Sequence, residues 1–223
     1  MNNQIQTYYL IGLCFILYFI ISYVYKILKI KNIKEALLSR NGLLLINLKH
    51  VLGIILFGVI SYLSFPKYKF LISDIEIPEL NILLSFLIIV FVSALLAFKS
   101  INKRLNKKTE KSQFSINQGW KYFSIRIMFL LSYEFFFRGI LFFSLLEFNG
   151  LLLAIVITTL LYVLIHIFDS KQEILGAIPF GIVLCLFSYF TNSIWIAFII
   201  HLTLSAVYEL YMFKHLTHKI KKA

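Results

Sequence analysis

The chain is 223 residues long, 60% apolar, 17% aromatic and only 14% charged, with a formal net charge of +12. A soluble domain carries about a quarter charged residues and shows alternating or 3.6-residue periodicity. Here the apolar residues come instead in blocks of about twenty, the length a helix needs to cross hydrocarbon, which excludes an ordinary soluble domain. The lysines and arginines fall between the blocks rather than on a face interleaved with aromatics, which excludes a nucleic-acid surface.

The first block, about 8–26, follows MNNQIQTYY. That leader has no positively charged stretch and the block no small-residue cleavage site, so it reads as a retained transmembrane helix rather than a signal peptide. Further spans are expected at about 43–65, 81–99, 122–146, 151–168, 173–191 and 193–213. The expected fold is all-α, a polytopic transmembrane bundle of about seven helices, within a range of six to eight.

Basic clusters follow the first span (Lys26, Lys29, Lys31, Lys34, Arg40), the third (Lys99, Lys103, Arg104, Lys107, Lys108, Lys111) and the seventh (Lys214, Lys219, Lys221, Lys222). All three lie on one side if the N-terminus is outside and the C-terminus cytoplasmic, as the positive-inside rule requires. The segment 67–80, with Asp74, Glu76 and Glu79, is then outside. The most polar stretch, 101–121, reads as a basic cytoplasmic loop between an N-terminal three-helix part (1–100) and a C-terminal four-helix core (122–213), with a basic tail at 214–223. His215 and His218 in that tail read as a solvated cationic end that meets anionic lipid rather than as a metal pair. Cys14 and Cys185, far apart and without a CxxC partner, read as small buried hydrophobes. The wealth of Ile, Lys, Asn and Phe fits an AT-rich genome and points to a bacterial source.

An ionisable group in mid-membrane costs on the order of 3 kcal/mol, so it persists where it is paired and used. Glu134 and Arg138 stand four residues apart in LSYEFFFRGILFF, on one helical face, with the acid N-terminal to the base as a helical ion pair prefers. Gly139 directly after them admits a close neighbour. His166 closes the fifth span one turn after Tyr162, and His201 lies in the seventh span one turn before Ser205. One carboxylate and two imidazoles on neighbouring helices suffice to activate water. Two histidines and a glutamate also match catalytic zinc ligation, although the HExxH spacing of zincins is absent.

In order, YEFFFR (133–138), YVLIH (162–166) and HLTLS (201–205) resemble the EExxxR, FxxxH and HxxxN motifs of the CPBP family, the Abi or CAAX proteases of the membrane. A tryptophan shortly before the last histidine, in TNSIWIAFIIH, is similar to the family too, and the likeness covers about 120–213. The resemblance implies an intramembrane endopeptidase acting on a membrane-associated peptide or a lipidated protein, with bacterial relatives tied to bacteriocin immunity and peptide processing. It implies Glu134 as water activator or structural acid, Arg138 as its partner, His166 as water-positioning group, and His201 with Ser205 on the oxyanion side. A divalent metal such as zinc would be held by His166, His201 and Glu134; a metal-free mechanism is equally compatible.

Tyr133 stands where the family's first glutamate does, the usual general base, and so is either a relay phenol or a dead position. The alternative to an enzyme is a catalytically silent member that binds a bacteriocin, peptide or membrane partner. A transporter, with Glu134 and Arg138 as a gate, lacks the internal repeats that many transporters carry. The three polar sites also differ in expected depth, so they meet only if helices tilt or break. Pro179 with Gly176 and Gly181 makes the sixth span the expected place for a break.

Overall fold

The computed structural model describes residues 2–75, 77–105, 114 and 119–218, with backbone alone at 2–4, 102–105 and 218. Most of the expected basic loop 101–121, the end of the basic tail with the His218 side chain, and Glu76 lie outside the described residues. Among the described residues eight helices carry the fold: α1 (Asn2–Ile27), α2 (Ile33–Leu38), α3 (Gly42–Ser64), α4 (Leu80–Leu105), α5 (119–149), α6 (151–165), α7 (Lys171–Thr191) and α8 (Trp195–His218). No strand occurs among the described residues.

Six helical stretches are long and apolar enough to cross a membrane, one of them the 50-residue Gly119–Phe168. That stretch is folded in two. Tyr133 and Tyr162 would stand about 43 Å apart along a straight helix at 1.5 Å per residue, yet their ring centroids are 5.9 Å apart. The reversal is at Gly150, where φ 74° and ψ 170° belong to a region open to glycine alone. Counting α5 and α6 separately, the described residues hold seven apolar helices of fifteen residues or more, and the protein is a multi-pass membrane protein.

The start of α1 meets Ser144 and Phe148 through Tyr8, whereas the end of α8 packs with Tyr25 and Ile33, so the described ends of the chain lie at opposite ends of the bundle. One end gathers Lys26, Lys31 and the α6 terminus, where the Lys31 ammonium donates to the Phe168 carbonyl at 3.3 Å and Lys26 lies over the Phe168 ring. The other end is closed by the short turns Pro66–Tyr68 and Phe70–Ser73. There the Ile194 amide donates to the Leu71 carbonyl, and the Trp195 indole donates to the Ile72 carbonyl at 2.9 Å. At the same end Tyr68 and Lys67 both bind Glu147.

Because lipid tails are as apolar as leucine, the passes are held by close packing rather than by exclusion of water. One buried cluster runs from Ile11 and Tyr18 of α1 through Phe57 of α3 to Phe129, Phe136 and Phe137 of α5. Two wide π-turns meet in it, Ile54–Ile60 in α3 and Phe135–Leu141 in α5, with Phe57 stacked on Phe136 at 4.3 Å. Gly53 lies against Phe129 and Tyr18, and Gly58 against Ser132, closer than a Cβ would allow. Cys14 and Cys185 are buried free thiols, as read from sequence.

The expected break in the sixth span does not occur. Helix α7 runs unbroken through Pro179, and Gly181 serves packing instead, because Thr159 and Tyr162 of α6 press on the place of its missing Cβ. The irregular backbone lies at Gly150 and in the two π-turns, none of which contains a proline.

Candidate active site

Glu134 is the last residue of the regular part of α5, and the π-turn that follows carries Arg138. Both side chains are fully buried. The Glu134 Oε1 atom lies 2.5 Å from His201 Nδ1 on α8, and its Oε2 lies 3.4 Å from Arg138 Nε. With the carboxylate ionised, the imidazole donates its Nδ1 hydrogen, which leaves Nε2 as the free position. The Arg138 guanidinium lies 4.2 Å from the Tyr162 ring, balancing the carboxylate against a π face.

A second imidazole is held in the same manner. Helix α6 ends in a tight 3₁₀ turn, His166–Phe168, which brings Asp169 back to the ring. His166 Nδ1 is 2.8 Å from Asp169 Oδ2, and its Nε2 has no partner. Tyr162 stands between the two imidazoles, its centroid 4.9 Å from His166 and 6.4 Å from His201. A cavity of about 500 Å³ is lined by Tyr133, Tyr162, His166, Phe180 and His201. Glu134 and Arg138 do not line it; they stand behind His201. Tyr133 faces it instead, its ring 5.9 Å from His201 and its buried hydroxyl without a partner.

Ser205, expected beside His201, is committed elsewhere. Its hydroxyl donates to Glu209 Oε1 at 2.9 Å and accepts from Arg126 Nη2 at 3.0 Å. Glu209 also accepts from Tyr122 at 2.9 Å and from Arg126 Nε at 3.0 Å, and Arg126 Nη1 reaches His50 Nε2 at 3.4 Å. This second polar cluster and Asp169 are the functional candidates that the motifs do not cover. Their sequence signals were an arginine eight residues before Glu134, a serine and glutamate four apart in α8, and an aspartate three after His166.

The expected metal trio is not brought together. Glu134 gives one oxygen to His201 and turns the other to Arg138, and His166 turns Nδ1 to Asp169. Among the described residues no three His, Cys, Asp or Glu side chains gather as a metal-binding group. The donor set therefore does not fit a three-ligand centre.

Residues 116–207 match the family model described as Type II CAAX prenyl endopeptidase Rce1-like. The matched stretch contains Tyr133–Arg138, Tyr162–His166 and His201–Ser205 in order, and it includes Asp169, so both carboxylate–imidazole pairs lie within it. No curated protein and no solved structure matches the chain. Over residues 116–207 the resemblance to the CAAX protease family that the motifs carry is thus borne out as similarity to the Rce1-like endopeptidases.

Proposed function

We propose that the protein is an intramembrane endopeptidase that hydrolyses a peptide bond in a membrane-associated peptide or lipidated protein, in bacteriocin immunity or peptide processing. It works in a cell membrane with its N-terminus outside and its basic end cytoplasmic. The observation that carries this reading is a pair of carboxylate-backed imidazoles on one cavity, His201 with Glu134 and His166 with Asp169. A carboxylate on Nδ1 fixes the tautomer, leaves the Nε2 lone pair outward and stabilises the imidazolium that forms.

His201 is then the general base, in place of Glu134, which has no access to the cavity. Its Nε2 takes a proton from water as the water oxygen bonds to the peptide carbonyl carbon. The same proton passes to the departing amine as the C–N bond breaks, which leaves a carboxylic acid and an amine. Glu134 orients His201, Arg138 balances Glu134, and His166 positions the water through its free Nε2. No step is routed through a metal.

Tyr133 favours a second reading, a silent binding protein, because a phenol faces the cavity where the family resemblance puts a carboxylate. The two are separated by cleavage of a membrane-anchored reporter-peptide library by purified protein in nanodiscs. The peptidase reading expects wild-type cleavage and a loss of about 10²–10⁴-fold in His201→Ala and Glu134→Gln, each checked for fold by thermal melting. Silence of the wild type with a gain in Tyr133→Glu would sink it in favour of binding.

A further inference from the structure

The cavity extends from the two dyads toward the basic end of the bundle, and there its wall changes character. Lys49 and His50 of α3 and Arg126 of α5 line it. Lys49 and Arg126 each stand seven residues from the start of their helices, Gly42 and Gly119, which is about 10 Å at 1.5 Å per residue. Both charges are thus near the level where headgroups meet acyl chains, and the Lys49 stem leads that way, its ammonium 5.8 Å from the ring of Tyr25 near the end of α1.

Three carboxylates also line the cavity, but each is engaged. Glu209 takes hydrogens from Arg126, Tyr122 and Ser205; Asp169 faces His166; Glu173 accepts the Ser170 amide at 3.0 Å. No described carboxylate stands within ion-pair distance of the Lys49 ammonium. Arg126 only donates, so His50 Nε2 beside it accepts and His50 carries its hydrogen on Nδ1, a buried atom without a partner. A lysine with no carboxylate in contact, an arginine with one Nη1 hydrogen left over and an unpartnered imidazole N–H call for an occupant that brings negative charge and several acceptor oxygens.

We propose that this inner half of the cavity binds a phosphate group, and that its ligand is the headgroup of an anionic phospholipid from the leaflet at the basic end. Basic pockets between membrane-spanning helices bind such headgroups. Leu96 and Ala97 of α4 and Ala177 of α7 add an apolar wall along which acyl chains can lie. The site does not depend on the hydrolytic reading, since it uses neither dyad.

The test is lipid retention by the full chain, measured by native mass spectrometry and by thermal melting in nanodiscs of phosphatidylcholine with and without phosphatidylglycerol. A parallel series with inorganic phosphate in pure phosphatidylcholine separates a lipid headgroup from a free anion. Lys49→Gln is expected to weaken phosphatidylglycerol binding about fivefold, the loss of one lysine's attraction for a membrane phosphate, and Lys49→Arg to restore it. Lys121→Gln, at the same end but exposed, should bind as wild type does. A shift produced by inorganic phosphate and lost in Lys49→Gln would keep the phosphate site and reassign its ligand to the free anion. Equal phosphatidylglycerol binding by wild type and a Lys49→Gln variant that melts like it would overturn the proposal. So would a loss in Lys121→Gln as large as that in Lys49→Gln.

Discussion

At the scale of single residues, the site depends on charges that are safe only as a set. Arg138 is fully buried and none of its nitrogens makes a geometrically good hydrogen bond, so its ion pair with Glu134 is its main compensation. Removing one partner of a buried pair costs about 3–5 kcal/mol, whereas removing both is often tolerated. Arg138→Ala is therefore expected to lower the melting temperature sharply. The double variant Glu134→Gln with Arg138→Met should regain much of the loss, read by thermal melting in detergent. Glu134 and Arg138 were legible as a pair from their spacing alone. That Glu134 turns away from the cavity was not, because the spacing fixes the face of one helix and not what stands opposite.

At the scale of elements, glycines and hydroxyls set how closely the passes approach. Phe129 is wedged between Tyr18 and His50, with centroids 5.8 and 4.9 Å away, and cannot yield to a Cβ at Gly53. Gly53→Ala is expected to cost about 1–3 kcal/mol by overpacking, seen as an earlier thermal transition. The short turns at the end away from the basic clusters carry a different test. Tyr68 donates to Glu147 at 3.2 Å and accepts from Ser144 at 3.0 Å. Burial, with Glu147 beside it, raises its phenol from 10.0 to about 12. A raised folded value means that the neutral phenol favours the fold. This contribution is complete below pH 10 and is lost as the pH climbs toward 12. Melting temperatures taken across that window should fall for wild type, and less steeply for Tyr68→Phe.

At the scale of the whole molecule, the matched stretch does not build its cavity alone. Tyr18, Lys49 and His50 come from the first three passes, outside residues 116–207, and the main buried cluster joins both parts. A fragment 116–223 is therefore expected to lack a cooperative thermal transition, while co-expression with 1–115 restores one. Reporter fusions at the two termini should report opposite sides of the membrane, with the C-terminal one cytoplasmic. Reporters on the same side would mean that α5 and α6 do not each cross.

The sequence by itself determined the class of protein, the passes and the residues of the three motifs. Block length, charge placement and helical spacing are local properties, and each survives without knowledge of neighbours. Its span limits at 146 and 151 bracket the reversal, which the structure places at Gly150. What only the tertiary structure decided is partnership. His201 of α8 meets Glu134 of α5 although α7 does not break. Ser205 went to Arg126 and Glu209, His166 to Asp169, and Tyr133 to the cavity wall. Buried polar groups take whichever partner packing brings within reach, along the chain for Ser205 with Glu209 and His166 with Asp169, between helices for His201 with Glu134 and Ser205 with Arg126, and only the second kind needs the tertiary structure.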